Sequence, residues 1–169
     1  FRTEFLAEHG LPTEETQVAV YHEAARIMQR PLVVRTFDIG GDKPVPYLSV
    51  PVEANPFLGC RGLRLSLQHP ELFTTQLRAL MRLAIRHPVT VLFPMVTTID
   101  ELRAAISLLT EAALAVGSNA GQLPAGFEVG AMAEVPAFAL RAGAAAPLVD
   151  LISVGSNDLT KYMTAAERG

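Results

Sequence analysis

Four short apolar runs alternate with stretches of helical periodicity, and this alternation limits the folds open to the chain. The runs are Pro31-Leu32-Val33-Val34-Arg35-Thr36-Phe37, Val89-Thr90-Val91-Leu92-Phe93, Phe127-Glu128-Val129-Gly130-Ala131-Met132-Ala133 and Leu148-Val149-Asp150-Leu151-Ile152-Ser153-Val154. Nearly continuous apolar strands are expected where a parallel sheet is covered on both faces, and a parallel pair needs a helical crossover between its strands. The segments between the runs supply those helices. Thr13 before Glu14-Glu15 reads as an N-cap with acids in the first turn, and a helix to about Met28 would align Val18, Tyr21, Ala25 and Met28. Leu63 to Leu67 reads as a short helix, and Pro70 opens a longer one to about Arg86. Ile99, Leu102, Ile106, Leu109, Ala113 and Val116 recur at gaps of 3 and 4, one apolar stripe on a helix. Pro136 can start a further short helix, which Gly143 can close.

Alternating strands and helices call for parallel β/α units with right-handed crossovers. An open flavodoxin-like sheet and part of a closed barrel both satisfy that order. The residues with chemical capacity favour the barrel. Arg35 with Asp38, Glu134, and Asn157 with Asp158 each fall just after a different apolar run, and functional groups gathered from many strand ends onto one rim are characteristic of (β/α) barrels. A complete TIM-type barrel takes about 250 residues. The 169 residues here therefore read as one domain, 1–169, holding a partial barrel with parallel strands. The opening at Phe1 without methionine and the abrupt stop at Gly169 are read as signs of a piece cut from something larger.

Charge and composition exclude several classes. Half the residues are hydrophobic, the formal net charge is −3, and basic residues do not run together, so neither nucleic acid nor an anionic membrane is an expected partner. No apolar run is long enough to span a bilayer, and no signal peptide pattern is present. Cys60 is the single cysteine, which rules out an intrachain disulfide and fits a reducing cytoplasm.

Glu134 and Asp158 follow two successive strands and should reach the same rim. Oxygen ligands without cysteine or histidine suit Mg²⁺ or Mn²⁺ rather than zinc. The alternative is that each acid caps the helix after it or pairs with an arginine. Arg35 in an apolar strand, Arg61 between glycines, Arg168 ten residues beyond Asp158, and Arg2 present guanidinium forks suited to phosphate and carboxylate oxygens. Arg78, Arg82, Arg86 and Arg103 read as helix-surface residues. Gly40-Gly41-Asp42-Lys43 is not a nucleotide loop, because Pro44 stands where Ser or Thr is required. Those glycines read as a strand-ending turn, from which Lys43 can add a cation. His9, His22, His69 and His87 lie in loops or a helix beside no nucleophile arrangement.

Six segments in order carry a resemblance. Phe1-Arg2-Thr3-Glu4-Phe5-Leu6, Arg35-Thr36-Phe37-Asp38-Ile39-Gly40-Gly41-Asp42-Lys43, Asn55-Pro56-Phe57-Leu58-Gly59-Cys60-Arg61-Gly62, Phe93-Pro94-Met95, Met132-Ala133-Glu134-Val135-Pro136, and Gly155-Ser156-Asn157-Asp158-Leu159-Thr160-Lys161-Tyr162 with Glu167-Arg168-Gly169 resemble the phosphoenolpyruvate (PEP)-binding domain of the Enzyme I family, the PEP-protein phosphotransferases of sugar uptake. Multiphosphoryl-transfer proteins, pyruvate phosphate dikinase and PEP synthase share parts of the pattern, and a non-catalytic anion-binding or dimerisation module is a further alternative. The resemblance implies that Glu134 and Asp158 hold Mg²⁺, and that Arg2, Arg35, Arg61 and Arg168 grip PEP with Asn157 and Asp158 assisting. It implies a cytoplasmic, homodimeric parent enzyme that passes the phosphoryl group to a histidine on an N-terminal domain and then to HPr. It places that histidine and the proton-donor cysteine outside this chain, with Cys60 at a different position, so no catalytic residue is assigned here. It also implies a barrel lacking the first strand and the last two.

Overall fold

A computed structural model describes residues 1–8, 10–43, 45, 47–48 and 53–167. Its elements run α1 (Glu14–Met28), β1 (Leu32–Arg35), α2 (Leu63–Gln68), α3 (Pro70–Ala84), β2 (Val89–Phe93), α4 (Ile99–Ala115), β3 (Phe127–Ala133), α5 (Pro136–Ala139), α6 (Ala142–Ala145), β4 (Leu151–Val154) and α7 (Ser156–Thr164), with short 3₁₀ turns between. The four strands form one parallel sheet in the order β1-β2-β3-β4, with Leu32 opposite Val89, Val89 opposite Phe127, and Gly130 opposite Leu151. A flavodoxin-like sheet would place its first strand inside the order. Strictly sequential order is instead what a partial (β/α) barrel requires, and the sheet is open rather than closed.

The two faces differ as they do in a barrel wall. Leu32, Val34, Val89, Val91, Phe93, Phe127, Val129, Ala131 and Ala133 share one core with Tyr21 and Ala25 of α1, Phe73, Leu77 and Leu80 of α3, Leu102 and Leu109 of α4, and Phe138 of α5. These alternate strand positions point to the helices. The intervening residues point to the other face, where Val33 is 42% exposed. Phe1 to Thr3 lie alongside β1: the Phe1 amino group donates to the Val33 carbonyl, Arg35 N–H donates to the Phe1 carbonyl at 3.0 Å, and Arg2 bridges Arg35 in parallel. This pairing brings two arginines side by side at the strand end.

Local signals explain the helix starts. Thr13 Oγ1 accepts from Thr16 N–H at 3.2 Å. Thr98 and Glu101 form a reciprocal capping box at the head of α4, and loss of such a cap typically costs ~1 kcal/mol. Four details differ from the sequence expectation. Met28 is 55% exposed, because α1 buries Gln17, Tyr21 and Ala25 and its last turn overhangs the core. Gly143 lies inside α6 and does not terminate a helix. The fourth strand begins at Leu151 because residues 146–148 form a 3₁₀ turn. Finally, α7 follows β4 directly, with mainly polar residues and no buried face, so it lacks the apolar stripe that reveals a packed helix.

A buried polar relay ties the N-terminal segment to this core. Gln76, wholly buried on α3, accepts from Phe37 N–H at 3.0 Å and donates to Tyr21 Oη at 3.2 Å and Thr3 Oγ1 at 3.3 Å. Gln76→Leu keeps the volume and strands a buried N–H, so we expect a loss of about 1–3 kcal/mol, measured by urea unfolding. An unchanged midpoint would show that the relay is dispensable.

Candidate active site

The turn after β1 builds the first part of the site. Gly40 has φ of 95° and Gly41 of 58°, values that suit glycine, and a Cβ on Gly40 would lie 2.4 Å from the Cys60 carbonyl oxygen. Gly40 and Lys43 exchange backbone hydrogen bonds at 2.9 Å, while Gly62 N–H donates to the Ile39 carbonyl at 3.0 Å. The two loops are thereby fastened together, and Arg61 sits directly on Asp38. Its Nε donates to Asp38 Oδ1 at 3.1 Å and its Nη2 to Asp38 Oδ2 at 2.9 Å, with both residues only 1% exposed. The remaining nitrogen, Nη1, donates to Asp42 at 3.1 Å and lies 3.6 Å from Asp158. Lys43 also bonds Asp38, and Arg35 lies 3.6 Å from it while donating to Glu4 at 2.8 Å.

Asp38 is thus a carboxylate surrounded by three cations. Burial works to raise its pKa, but the hydrogen bonds and charges of Arg61 and Lys43 outweigh burial and hold it below the ordinary value. The same balance operates on Arg61. Burial disfavours its charge, yet Asp38, Asp158 and Asp42 raise its pKa.

Glu134 is in the opposite condition. It follows β3 directly, is 1% exposed, and accepts Met95 N–H at 2.7 Å from the turn after β2. Burial is the largest influence on it. The Asp38 and Asp158 charges add to that effect, while the Met95 bond and Arg35 oppose it, and the pKa rises from 4.5 to about 7. Gly155, after β4, stands against this carboxylate: a Cβ there would meet Glu134 Oε2 at 2.3 Å and Glu134 Cβ at 2.5 Å. We expect Gly155→Ala to displace Glu134 and to cost about 1–3 kcal/mol by overpacking. Unfolding measurements check this, and an unshifted midpoint would show that Glu134 has room to move.

The first turn of α7 carries Asn157 and Asp158 to the same rim. A cavity of about 330 Å³ is lined by Arg2, Arg35, Lys43, Glu134, Asn157 and Asp158, together with Met132, Val154, Gly155 and Ser156. An adjoining cavity of about 390 Å³ is lined by Asp42, Lys43, Phe57, Arg61, Asn157, Asp158 and Lys161. Lys43, Asn157 and Asp158 belong to both. The fold therefore brings Arg2, Arg35, Glu134, Asn157 and Asp158 around one cavity and sets Arg61 on its neighbour. Arg168 lies outside the described residues.

Asp38 stands out in the sequence among the strand-end groups, but no local pattern assigns it a role. The signal for it was Arg61, since an arginine among glycines and apolar residues must be paired if it is buried. Phe57 was missed as well. Its ring stacks on Tyr162 at 4.6 Å, with the Arg61 guanidinium 5.6 Å and the Lys161 ammonium 5.1 Å from its centroid. No spacing pattern links residues 57 and 162. Cys60 bonds Gln68 through its thiol, and burial raises its pKa, so it is not an activated nucleophile.

Among the described residues, no group of three or more His, Cys, Asp or Glu is arranged to hold a metal. Two carboxylates line one cavity, and one of them, Glu134, is buried beside the like charges of Asp38 and Asp158 and has no ion pair among the described residues. Glu134 and Asp158 are the two carboxylates of this cavity that could hold a hard divalent ion, which commonly takes one or two protein carboxylates and fills its shell with water and substrate oxygens.

Comparison with known proteins fits this geometry. Residues 1–169 match the family model described as PEP-utilising enzyme, PEP-binding domain. The chain is 45% identical to the phosphoenolpyruvate-protein phosphotransferase of Priestia megaterium and 46% identical to that of Geobacillus stearothermophilus, over 99% of its own length and 30% of theirs. It is 43% identical to a multiphosphoryl transfer protein of Rhodobacter capsulatus, over 99% of its length and 20% of that protein. The chain thus spans less than a third of each of these relatives. On the match over its whole length, the chain belongs to the PEP-utilising enzymes, as their PEP-binding domain.

Proposed function

We propose that this chain is the PEP- and Mg²⁺-binding part of a phosphotransferase that moves a phosphoryl group from PEP to a histidine on another domain and then to HPr in sugar uptake. The observation that carries the proposal is the cavity in which Arg2, Arg35 and Lys43 face Glu134 and Asp158. A small, multiply charged anion needs such cations. A divalent ion would relieve the two carboxylates and neutralise charge on the phosphoryl oxygens. Phosphoryl transfer depends mainly on positioning and electrostatic stabilisation, which are what a fixed set of arginines can supply.

The chain's own residues have separable tasks in this proposal. Arg2 and Arg35, held side by side by the parallel bridge between them, present two guanidinium forks to the anion. Asp38 occupies the Nε and Nη2 edge of Arg61, which directs Nη1 toward Asp42 and Asp158 at the adjoining cavity. Asn157 and Asp158 approach from the first turn of α7, where negative ligands are favoured by the helix dipole. Arg168 would add a further cation. The phosphorylated histidine and the proton donor would come from segments other than this chain. A cytoplasmic, homodimeric parent belongs to the same proposal, and the similarity to a multiphosphoryl transfer protein supports a fused arrangement equally well.

Titration calorimetry tests the binding. We expect PEP to bind in the presence of Mg²⁺ and to weaken at least about tenfold in Asp158→Ala, the scale of ~1.4 kcal/mol. Equal binding by both, or binding indifferent to Mg²⁺, would overturn the metal assignment. We also expect no pyruvate release from PEP by this chain alone; turnover would show that the missing groups are dispensable.

A further inference from the structure

One cluster of metal-ligating side chains lies apart from the site. His22 on α1 and His87, two residues before β2, place their rings 5.3 Å apart at an interplanar angle of 70°. The PEP cavity gathers residues that follow the strands, whereas His87 precedes one, so the pair sits at the opposite pole of the sheet. We propose that His22 and His87 form a binding site for a borderline divalent transition ion such as Zn²⁺ or Ni²⁺.

The separation suits the chemistry. Two imidazoles on one tetrahedral zinc, with Zn–N of about 2.0–2.1 Å, hold their ring centroids about 5 Å apart. The anchoring is firm on both sides. His22 lies near the middle of a 15-residue helix, and His87 N–H donates to the Leu83 carbonyl at 3.1 Å. The next carbonyl, Pro88, accepts Leu32 N–H at 3.0 Å. The two backbone positions are therefore fixed relative to one another, and only the imidazole rotamers remain to be set when an ion arrives. Both rings are partly exposed, which leaves a path for the ion and for the waters that complete its shell. No third His, Cys, Asp or Glu among the described residues joins them, so the site is a two-ligand one.

The surrounding charges act in both directions. Arg86 and Arg82 disfavour a second cation, but Arg82 is engaged by Glu14 at 2.9 Å and Glu15 at 3.5 Å. Imidazole favours Zn²⁺ or Ni²⁺ over Mg²⁺, so Mg²⁺ would not compete for the histidine pair.

The test uses Zn²⁺ as probe in an Asp158→Ala background, so that the carboxylate cavity does not contribute. We expect thermal unfolding to shift upward with Zn²⁺ and not with Mg²⁺. His22→Asn and His87→Asn should each weaken Zn²⁺ binding by calorimetry more than about 100-fold, beyond what loss of an outer-sphere partner costs. His69→Asn should leave it unchanged. The imidazole resonances of His22 and His87 should move together on titration. Absence of a shift, equal affinity in the variants, or movement of only one resonance would show a ring-packing contact and overturn the proposal.

Discussion

Arg61→Met is expected to destabilise the protein by about 3–5 kcal/mol, the largest single effect we foresee. Asp38 is 1% exposed and owes its charge chiefly to the two hydrogen bonds from Arg61. Methionine fills much of the space but leaves that carboxylate buried with only Lys43 and the more distant Arg35. Removing one partner of a buried pair is costly because the other charge is left uncompensated. Much of the loss should be recovered in the double variant Asp38→Asn with Arg61→Met, since replacing both partners removes the stranded charge. Urea unfolding of the two single variants and the double variant checks this. Additive losses would show that the pair is not coupled. The pair also sets an acid limit: because the Asp38 pKa is depressed, its contribution is present above the ordinary carboxylate pKa and is lost as pH falls through the lowered value.

Glu134→Gln should have the second-largest effect, and its size depends on pH. Glu134 titrates near 7 in the folded chain against an ordinary 4.5. Below 4.5 the group is protonated folded or unfolded, and its ionisation has no consequence. Between 4.5 and 7 the unfolded chain releases a proton that the folded chain keeps, so stability falls as pH rises. Above 7 the buried carboxylate is charged, at a cost of up to about 3 kcal/mol. Glutamine keeps an acceptor for Met95 N–H and carries no charge, so the variant should gain on the parent progressively from pH 4.5 to 8 when no divalent ion is present. Mg²⁺ should stabilise the parent and not the variant. Parallel stability profiles for the two proteins would mean that Glu134 is solvated or already paired.

The charged residues of the site show how far the sequence could be read. Glu134 and Asp158 could be picked out because each follows an apolar run, and a parallel sheet carries such residues to one rim whatever the details of packing. Arg35 could be picked out because a charge inside an apolar strand demands an explanation. The partner of Arg61 could not, since 23 residues and two loops separate it from Asp38. Their meeting depends on Gly40 allowing the Cys60 backbone to approach closely. Phe57 and Tyr162 are more remote still, and their stacking follows only from the placement of α7 beside that loop. The helix itself carried no apolar stripe, because it buries no residue fully.

By itself, the sequence determined the β/α alternation, the parallel class of the sheet and the set of charged residues at the strand ends, since each follows from local periodicity. The tertiary structure decided the sequential strand order, the pairing of Phe1 to Thr3 beside β1 that sets Arg2 next to Arg35, and the opposite electrostatic conditions of Asp38 and Glu134. Those depend on which groups share a buried space, and burial is a property of the packed chain that no local stretch of sequence contains.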